Sequence, residues 1–213
     1  MSDKAFQDYY PDDVSHCYGC GRLNEHGLQL KSYWDGEETV ATFHPRPYHT
    51  AIPGYVYGGL IASLIDCHGT GTAAAAAYRE AGRGMDTNPP LRFVTASLQV
   101  EYVRPTPLGV PLEIRGSATK VEGRRVWVSA TVAAEGKICA RGKVVAVLMP
   151  EPDRSQHDEY IRHYLETGER RIIGIGREVV GRRSDGSTSS SGPTPSSGPS
   201  RKSTAAPTGR RSS

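Results

Sequence analysis

Cysteine is scarce in this sequence, and its first residues carry no recognisable leader. Four cysteines among 213 residues are too few and too widely spaced for a disulfide framework. The N-terminal residues also lack the basic segment and apolar core of a secretory signal. Together these absences predict a reducing, cytoplasmic location.

Uninterrupted apolar runs are missing as well. The longest candidate, residues 60–78, is diluted by Asp66, His68 and several Ser, Thr and Gly residues. A helix that crosses a bilayer needs about 20 predominantly apolar residues. We therefore expect this segment to lie in a protein interior, and we expect no membrane partner.

The body of the chain also lacks a strong excess of charge of one sign. The formal net charge is +3, but residues 181–213 alone carry +5, from six Lys or Arg and one acid, so residues 1–180 carry −2. Binding to nucleic acid depends on a concentrated basic surface. The sequence therefore predicts no nucleic-acid partner.

The pattern that is present predicts one helix and one sheet. A helical period runs from Gly58 to Ala81. After residue 90 the apolar positions alternate as far as residue 148, which predicts four antiparallel strands, the first at Leu98–Val103, with Gly123 and Gly136 in short turns. A further strand is expected at residues 39–43. The predicted fold class is α+β, with one long central helix packed against an antiparallel sheet. Because a single helix leaves apolar edges of such a sheet exposed, we expect a homodimer.

Four segments are predicted along the chain. Residues 1–16 form an N-terminal arm, and residues 17–150 form the globular domain. Residues 151–181 predict a C-terminal helical extension, because their apolar side chains follow a helical period. Residues 182–213 are rich in Ser, Pro, Gly and Arg and nearly free of apolar residues, a composition typical of disorder.

A single carboxylate lies within the apolar helix. From Leu60 to Tyr78 the only acid is Asp66, and this segment contains no Lys, Arg, Glu or Pro. Burial of an unpartnered carboxylate is costly, so such a group usually serves a metal, an ion pair or a reaction. Thr70 lies four residues after Asp66 and Gly59 seven before it, so all three share one helix face.

The start of the same helix offers hydrogen-bond donors. The backbone N–H groups near Gly58 and Gly59 have no partner within a helix and lie at the positive end of its dipole. The missing side chains leave room for a substrate carbonyl. Amide donors combined with a carboxylate are the groups that acyl transfer requires.

Four segments carry a resemblance to a known family. They are CYGCGRLNEHGL (17–28), GYVYGGLIASLID (54–66), TASLQVEYVRPTPLG (95–109) and KVEGRR (120–125). In this order they resemble the hotdog-fold acyl-CoA thioesterases of the 4-hydroxybenzoyl-CoA thioesterase superfamily, in particular the phenylacetate-pathway branch and its mitochondrial relatives. The resemblance implies a hotdog fold, a double-hotdog homodimer and hydrolysis of acyl-CoA.

The resemblance also implies roles for the helix residues. Asp66 is the expected nucleophile or general base, and the amide of Gly58 or Gly59 is the expected oxyanion donor. Thr70 is the hydroxyl that would place the attacking water. Tyr57 stands where the family motif has His, and a phenol can donate to a thioester carbonyl but does not titrate near neutral pH.

The implied substrate is an acyl-CoA or another acyl thioester, bound between two subunits. In the family the pantetheine arm runs to a surface where basic side chains meet phosphates, and the candidates here are Arg104, Lys120, Arg124 and Arg125. No cofactor is expected, because CoA is part of the substrate. A homodimer is the expected assembly, and a tetramer stays open.

Two other functions stay open at this point. The presence of Tyr57 in place of His also suits a protein that binds acyl thioesters without hydrolysing them. Hydratases and dehydratases of the hotdog superfamily pair Asp with His, so Asp66 and His68 keep that chemistry open. His68 is nevertheless expected to be a satisfied histidine of the core or interface.

Cys17 and Cys20 are expected to form a structural turn. A CxxC pair is also half of a zinc site or a redox pair, but no second ligand pair with suitable spacing follows in the sequence. Cys67 and Cys139 are expected to be small core residues. The sequence therefore predicts no metal site.

Overall fold

The computed structural model describes residues 4–149, together with 162–163, 166–167, 179–182 and 188–191. The chain divides into two compact units, Met1–Asp158 and Glu159–Ser213. The helix and strands of the first unit are β1 Ser32–Asp35, β2 Glu38–Phe43, α1 Gly58–Glu80, β3 Phe93–Tyr102, β4 Leu112–Glu122, β5 Arg125–Ala134 and β6 Lys137–Leu148.

The six strands of this unit form one antiparallel sheet in the order β1-β2-β4-β5-β6-β3. Short turns join β4 to β5 and β5 to β6, and Gly123, Glu135 and Gly136 have φ values of 56°, 51° and 72° there. Tight hairpins need such left-handed backbone. Helix α1 packs on one face of the sheet against β4, β5 and β6. One helix on a six-stranded antiparallel sheet is the hotdog fold, so the predicted fold class is confirmed.

Helix α1 ends at Glu80, one residue earlier than the sequence predicts. The N–H of Gly82 donates to the carbonyl of Arg79 at 3.1 Å, and that of Arg83 donates to Tyr78 at 2.9 Å. These two bonds form a Schellman motif, which satisfies carbonyls that the helix itself leaves open. No helix in the described part of the chain has both the length and the apolar character of a membrane span.

The sheet contains features that the apolar periodicity did not reveal. Strand β1 was not predicted, and β3 begins at Phe93 rather than near Leu98. Bulges interrupt β3 after Thr95 and β4 after Ala118. Ala118 precedes the bulge and pairs with the buried Val128, so it keeps the face of Leu112, but it is itself exposed. A bulge shifts the alternation by one residue only in the part of the strand that follows it.

His68 is a core residue, as the sequence predicts. It is fully buried, with Nδ1 3.0 Å from Ser32 Oγ and Nε2 3.1 Å from Thr39 Oγ1. Burial lowers its pKa to about 4. The ring is therefore neutral at physiological pH, and both of its nitrogens are used by hydroxyls of the sheet.

Acid is expected to destabilise the fold through His68. Its pKa falls from 6.5 to about 4 on folding, so between these values the unfolded chain binds the additional proton and the free energy of unfolding drops as the pH falls. The contribution is complete above pH 6.5 and shrinks by about 3 kcal/mol on approaching pH 4. Denaturant unfolding between about pH 7.5 and 4.5 should show a shallower pH dependence for His68→Gln than for the wild type. Equal pH dependences would contradict the burial argument.

The described residues of the predicted N-terminal arm pack on the sheet. They form two 3-10 turns, Phe6–Tyr9 and Asp12–Val14. Gln7 is buried, and its Oε1 accepts a hydrogen bond from the backbone N–H of Ser32 at 2.8 Å. The N-terminal residues thereby cover part of the β1 end of the sheet.

In the second unit, β7 Val179–Arg182 pairs antiparallel with β8 Thr188–Ser191. Residues 162–163 and 166–167 are helical. Most of the predicted helical extension (151–181) and of the predicted disordered tail (182–213) lies outside the described residues. The prediction of a disordered tail therefore stays a prediction.

Candidate active site

Asp66 lies midway along α1 and is half-buried. Its Oδ1 accepts a hydrogen bond from Thr95 Oγ1 at 2.6 Å. Thr70 Oγ1 lies 3.0 Å from Thr95 Oγ1, and it acts as the donor when the Thr95 proton points to the carboxylate. Among residues 4–149, Oδ2 has no hydrogen-bond partner and the carboxylate forms no ion pair. Two hydroxyls therefore orient one oxygen of Asp66 and leave the other open.

Thr95 is the site residue that the sequence analysis missed. It appears in the sequence only as the first residue of a matching segment. In the structure it is the last paired residue of β3 before the register shift to Ser97. Bulges often redirect a side chain toward a functional site. The position of the bulge depends on the pairing of β3 with β6, which a single sequence does not reveal. Thr70, predicted to place the water, reaches Asp66 through Thr95.

We expect Thr95→Val to lower the turnover of a thioester substrate by about tenfold or more. The variant keeps the shape of the side chain but removes a hydrogen bond to a charged group, which is worth about 1.5–3 kcal/mol. Steady-state kinetics on Thr95→Val and on Thr119→Val check this. Thr119 is a suitable control because its hydroxyl donates only to the strand carbonyl of Trp127. Equal turnover in the two variants would remove Thr95 from the site.

The start of α1 exposes two backbone donors. Tyr57 occupies the N-cap position but makes no capping hydrogen bond, and the N–H of Leu60 already donates to the carbonyl of Tyr57 at 3.1 Å. The N–H groups of Gly58 and Gly59 have no partner in the part of the chain that the structure describes. The hydroxyl of Tyr102 donates to the Gly58 carbonyl at 2.8 Å, which fixes this peptide against β3.

The side chain of Tyr57 lies next to Gly59. Its side chain is 58% exposed, and a Cβ built on Gly59 would lie 2.4 Å from a carbon of its ring. A side chain at position 59 would displace this ring. The phenol lies beside the N-terminal end of α1, where it is able to reach a ligand that approaches the two amides.

The carboxylate and the amides are separated within one chain. Asp66 follows Gly59 by seven residues, or about 10 Å along the helix axis. The carbon and oxygen of a carbonyl are about 1.2 Å apart, and each must lie about 3 Å from its catalytic partner. Asp66 and the amides of the same helix are therefore too far apart to act on one carbonyl.

Two cavities border this face of the helix. A cleft of about 830 Å³ is lined by Tyr57, Gly59 and Ser63 and by the loop that contains His49. A pocket of about 200 Å³ begins at Thr70 and is lined mainly by apolar and aromatic side chains, among them Tyr9, Tyr10, Ala74, Met85 and Phe93. The wider cleft is the more polar of the two.

In the loop before Tyr57 the sequence offers His49 and Thr50 as polar candidates beside Ala51, and His49 makes defined contacts there. Its Nδ1 accepts a hydrogen bond from the N–H of Arg46 at 3.0 Å, and its carbonyl accepts one from the N–H of Tyr57 at 2.8 Å. Partial burial and the nearby Arg46 lower the pKa of the imidazole. A neutral imidazole therefore lies in the loop before Tyr57, although the motif position itself has no histidine.

Three of the four predicted phosphate contacts lie together. Lys120, Arg124 and Arg125 surround the turn between β4 and β5. Lys120 pairs with Glu122 at 2.7 Å, and Arg124 Nε donates to the carbonyl of Leu148 at 3.0 Å. Both side chains thus already make polar contacts within the fold.

Arg104 lies at the opposite end of the sheet. Its N–H donates to the carbonyl of Cys139, whereas Arg125 pairs with Val147. Eight residues of β6 separate these two positions, which is about 27 Å at about 3.4 Å per residue. Within one chain the structure therefore does not gather the four basic residues into one patch. Arg104 is the one near the start of α1.

The hydratase pair suggested by the sequence is not formed. His68 follows Asp66 by two residues, but its ring nitrogens contact Ser32 and Thr39 inside the core. No acid–base pair of Asp66 with His68 exists in this arrangement.

The cysteines are arranged differently from the prediction. The sulfur atoms of Cys17, Cys20 and Cys67 lie within 4.8 Å of one another. Hydrogen bonds with the Cys20 and Cys67 thiols lower the pKa of Cys17, and the same interaction with Cys17 raises the pKa of the other two. Cys67 therefore joins the turn formed by Cys17 and Cys20 instead of being an ordinary core residue. All four cysteines of the chain are free thiols.

Comparison with known proteins gives the family. The thioesterase superfamily model matches residues 53–140. The crystal structure of a thioesterase superfamily protein from Shewanella loihica PV-4 is 51% identical, with a TM-score of 0.51, and the match covers 66% of this chain and 100% of that one. The chain belongs to the thioesterase superfamily.

Curated relatives match shorter parts. Acyl-coenzyme A thioesterase THEM4 of Xenopus laevis is 37% identical over 93 residues, which are 44% of this chain and 36% of that protein. Sensor protein FixL of Bradyrhizobium diazoefficiens is 59% identical over 49 residues, which are 23% of this chain and 10% of that protein. The chain thus spans only about a third of the first relative and a tenth of the second.

Proposed function

We propose that this protein is an acyl-CoA thioesterase that hydrolyses an acyl thioester to the free acid and CoA. The observation that carries the proposal is the state of Asp66. One carboxylate oxygen is oriented by Thr95, the other is open, and no ion pair among the described residues accounts for the charge. Membership in the thioesterase superfamily and the similarity to THEM4 support the same chemistry.

The reaction follows from these groups. Oδ2 of Asp66 either attacks the thioester carbonyl carbon or removes a proton from a water that attacks it. Negative charge then develops on the carbonyl oxygen, where the N–H groups of Gly58 and Gly59 stabilise it, assisted by the phenol of Tyr57. Collapse of the intermediate breaks the C–S bond, and the CoA thiolate leaves and takes up a proton. In the nucleophilic route, water then hydrolyses the acyl anhydride on Asp66.

A second copy of the chain completes the site. The separation of about 10 Å between Gly59 and Asp66 requires that the amides come from another subunit. The last strand of the sheet, β3, offers a surface for this contact, because one of its edges has no strand partner in the described sheet. Val94, Leu98 and Tyr102 on this strand are 48%, 38% and 54% exposed. An exposed edge with apolar side chains is a typical pairing surface, so we propose a homodimer.

The two cavities suggest where the substrate lies. The apolar pocket of about 200 Å³ at Thr70 is smaller than the about 300–1,000 Å³ typical of drug-sized ligands. It suits a short or aromatic acyl group. The polar cleft at Gly59 suits the pantetheine arm, and Arg104 is the basic residue placed to meet phosphates at that end. Lys120, Arg124 and Arg125 would meet them only from a second subunit.

Non-hydrolytic binding of acyl thioesters is the second candidate function. Tyr57 in place of the motif histidine favours it, because a phenol has no acid–base function near neutral pH.

The four free thiols are consistent with the cytoplasmic location that we propose for either function.

A panel of acyl-CoAs tests the proposal. Purified full-length protein is incubated with short, long and aromatic acyl-CoAs, and the products are identified by mass spectrometry. We expect free acid and CoA, fastest with short or aromatic acyl groups. A hydrated or dehydrated acyl-CoA, or unchanged substrate throughout the panel, would refute hydrolysis.

A further inference from the structure

Three cysteine sulfurs from two separate elements meet beside the candidate active site. Cys17 and Cys20 lie on a turn that is closed by the N–H of Gly21, which donates to the Cys17 carbonyl at 2.8 Å. Cys67 lies on α1, directly after Asp66. Its sulfur is 3.7 Å from that of Cys17, and all three sulfurs lie within 4.8 Å of one another. The proposed hydrolysis uses none of them.

The local sequence is shaped to allow this approach. A Cβ on Gly19 would lie 2.2 Å from Cys67 Sγ, and a Cβ on Gly21 would lie 2.4 Å from the backbone nitrogen of Cys17. Neither position has room for a side chain. The two glycines therefore let the turn fold tightly and rest against the helix at Cys67, which shows that the cluster is a close-packed feature of the fold.

The spacing matches that of thiolates around one metal ion. With Zn–S bonds of about 2.3 Å, sulfurs at the corners of a tetrahedron are about 3.8 Å apart. The pair Cys17 and Cys67 already has this separation, and small side-chain rotations bring Cys20 to it from within 4.8 Å. A disulfide would instead require two sulfurs at about 2.05 Å, and it would leave the third cysteine unpaired.

We propose that Cys17, Cys20 and Cys67 form a binding site for a zinc ion. Three soft thiolates select thiophilic ions such as Zn²⁺ over Mg²⁺ or Ca²⁺. No other His, Cys, Asp or Glu among the described residues joins the cluster, so the fourth coordination position is left to water or to a ligand from outside. The ion would tie the N-terminal turn to α1 next to Asp66 and so restrain the helix that carries the carboxylate.

Metal content measures the proposal directly. Full-length protein is reduced, loaded with Zn²⁺, dialysed, and analysed for zinc by elemental mass spectrometry. About one zinc per chain is expected for the wild type. Cys20→Ser and Cys67→Ser should each lower the affinity for zinc at least tenfold. Cys139→Ala is the matched control, because Cys139 is a free cysteine outside the cluster, and it should keep the full zinc content.

Two further measurements keep the test independent of variant folding and of hydrolysis. Co²⁺ added to the reduced wild type should produce sulfur-to-metal charge-transfer absorption, which Zn²⁺ then displaces. Asp66→Asn should bind zinc like the wild type, whatever happens to its activity. Zinc far below one per chain in the reduced wild type, or the same zinc content with both Cys20 and Cys67 replaced, would overturn the proposal. A disulfide between Cys17 and Cys67 that persists after treatment with a reductant would overturn it as well.

Discussion

Asp66→Asn is expected to abolish thioester hydrolysis while acyl-CoA binding persists. The amide has the same shape, and its carbonyl oxygen is still able to accept the hydrogen bond from Thr95, so the local geometry is kept. It neither attacks a carbonyl nor removes a proton from water, and loss of a positioned acid–base group costs about 10²–10⁴-fold in rate. Steady-state kinetics of CoA release and calorimetric titration with a non-hydrolysable CoA thioether measure the two effects separately.

Glu80→Gln is the matched control for this variant. Glu80 is the last residue of the same helix and is exposed, so the change also removes one negative charge from α1 but leaves the site intact. Wild-type turnover is expected. If Asp66→Asn turned over substrate at the rate of Glu80→Gln, Asp66 would have no chemical role.

Two inactive variants are expected to restore activity when they share a dimer. Gly59→Val obstructs the amides at the helix start, and Asp66→Asn removes the carboxylate. If each site takes its acid from one subunit and its amides from the other, a mixed dimer contains one site with both defects and one site with neither. Random mixing makes about half of the dimers mixed, so about a quarter of all sites recover.

The experiment co-refolds the two variants, each with a different affinity tag, and measures CoA release after purification through both tags. Because only mixed dimers carry both tags, about half of the sites in the purified sample should be active. Mixed dimers that are pure but inactive would place acid and amides in the same subunit, contrary to the distance argument. The recovered activity also serves as a folding control, because a misfolded variant supplies no working half-site.

Local patterns in the sequence predicted much of the fold. The helix from Gly58 and the hairpins at Gly123 and Gly136 follow from neighbouring residues, namely a run of helix formers and the glycines that tight turns require. The helix and the hairpins are therefore predictable without any knowledge of distant contacts. Strand β1 and the start of β3 are harder to predict, because their pairing partners lie far away in the chain.

The candidate site also has one part that local sequence predicts and one part that depends on distant contacts. The spacing of Asp66, Thr70 and Gly59 along one helix follows from helix geometry alone, and the predicted face exists. Thr95 reaches Asp66 only because of a bulge, and a bulge depends on sheet register. The roles of Asp66, Thr70 and the amides stay predictions until they are tested.

Long-range contacts also explain the two largest departures from expectation. Nothing in the spacing of Cys17 and Cys20 indicates that Cys67 will meet them, because that contact depends on how the N-terminal turn lies on α1. Arg104 and Arg124 are close in sequence, yet antiparallel strands carry them to opposite ends of the sheet. Sequence proximity is therefore a poor guide to a shared phosphate site.

Hydrolysis at Asp66 is tested most directly by the number of turnovers that one active site completes. Wild-type protein is mixed with a large excess of a short or aromatic acyl-CoA, and the released CoA thiol is counted per mole of chain. Thioester hydrolysis at Asp66 predicts CoA release far above one equivalent, at a steady rate well above that without protein. Saturable acyl-CoA binding with release no faster than in buffer would contradict it and would define this protein as a binder of acyl thioesters.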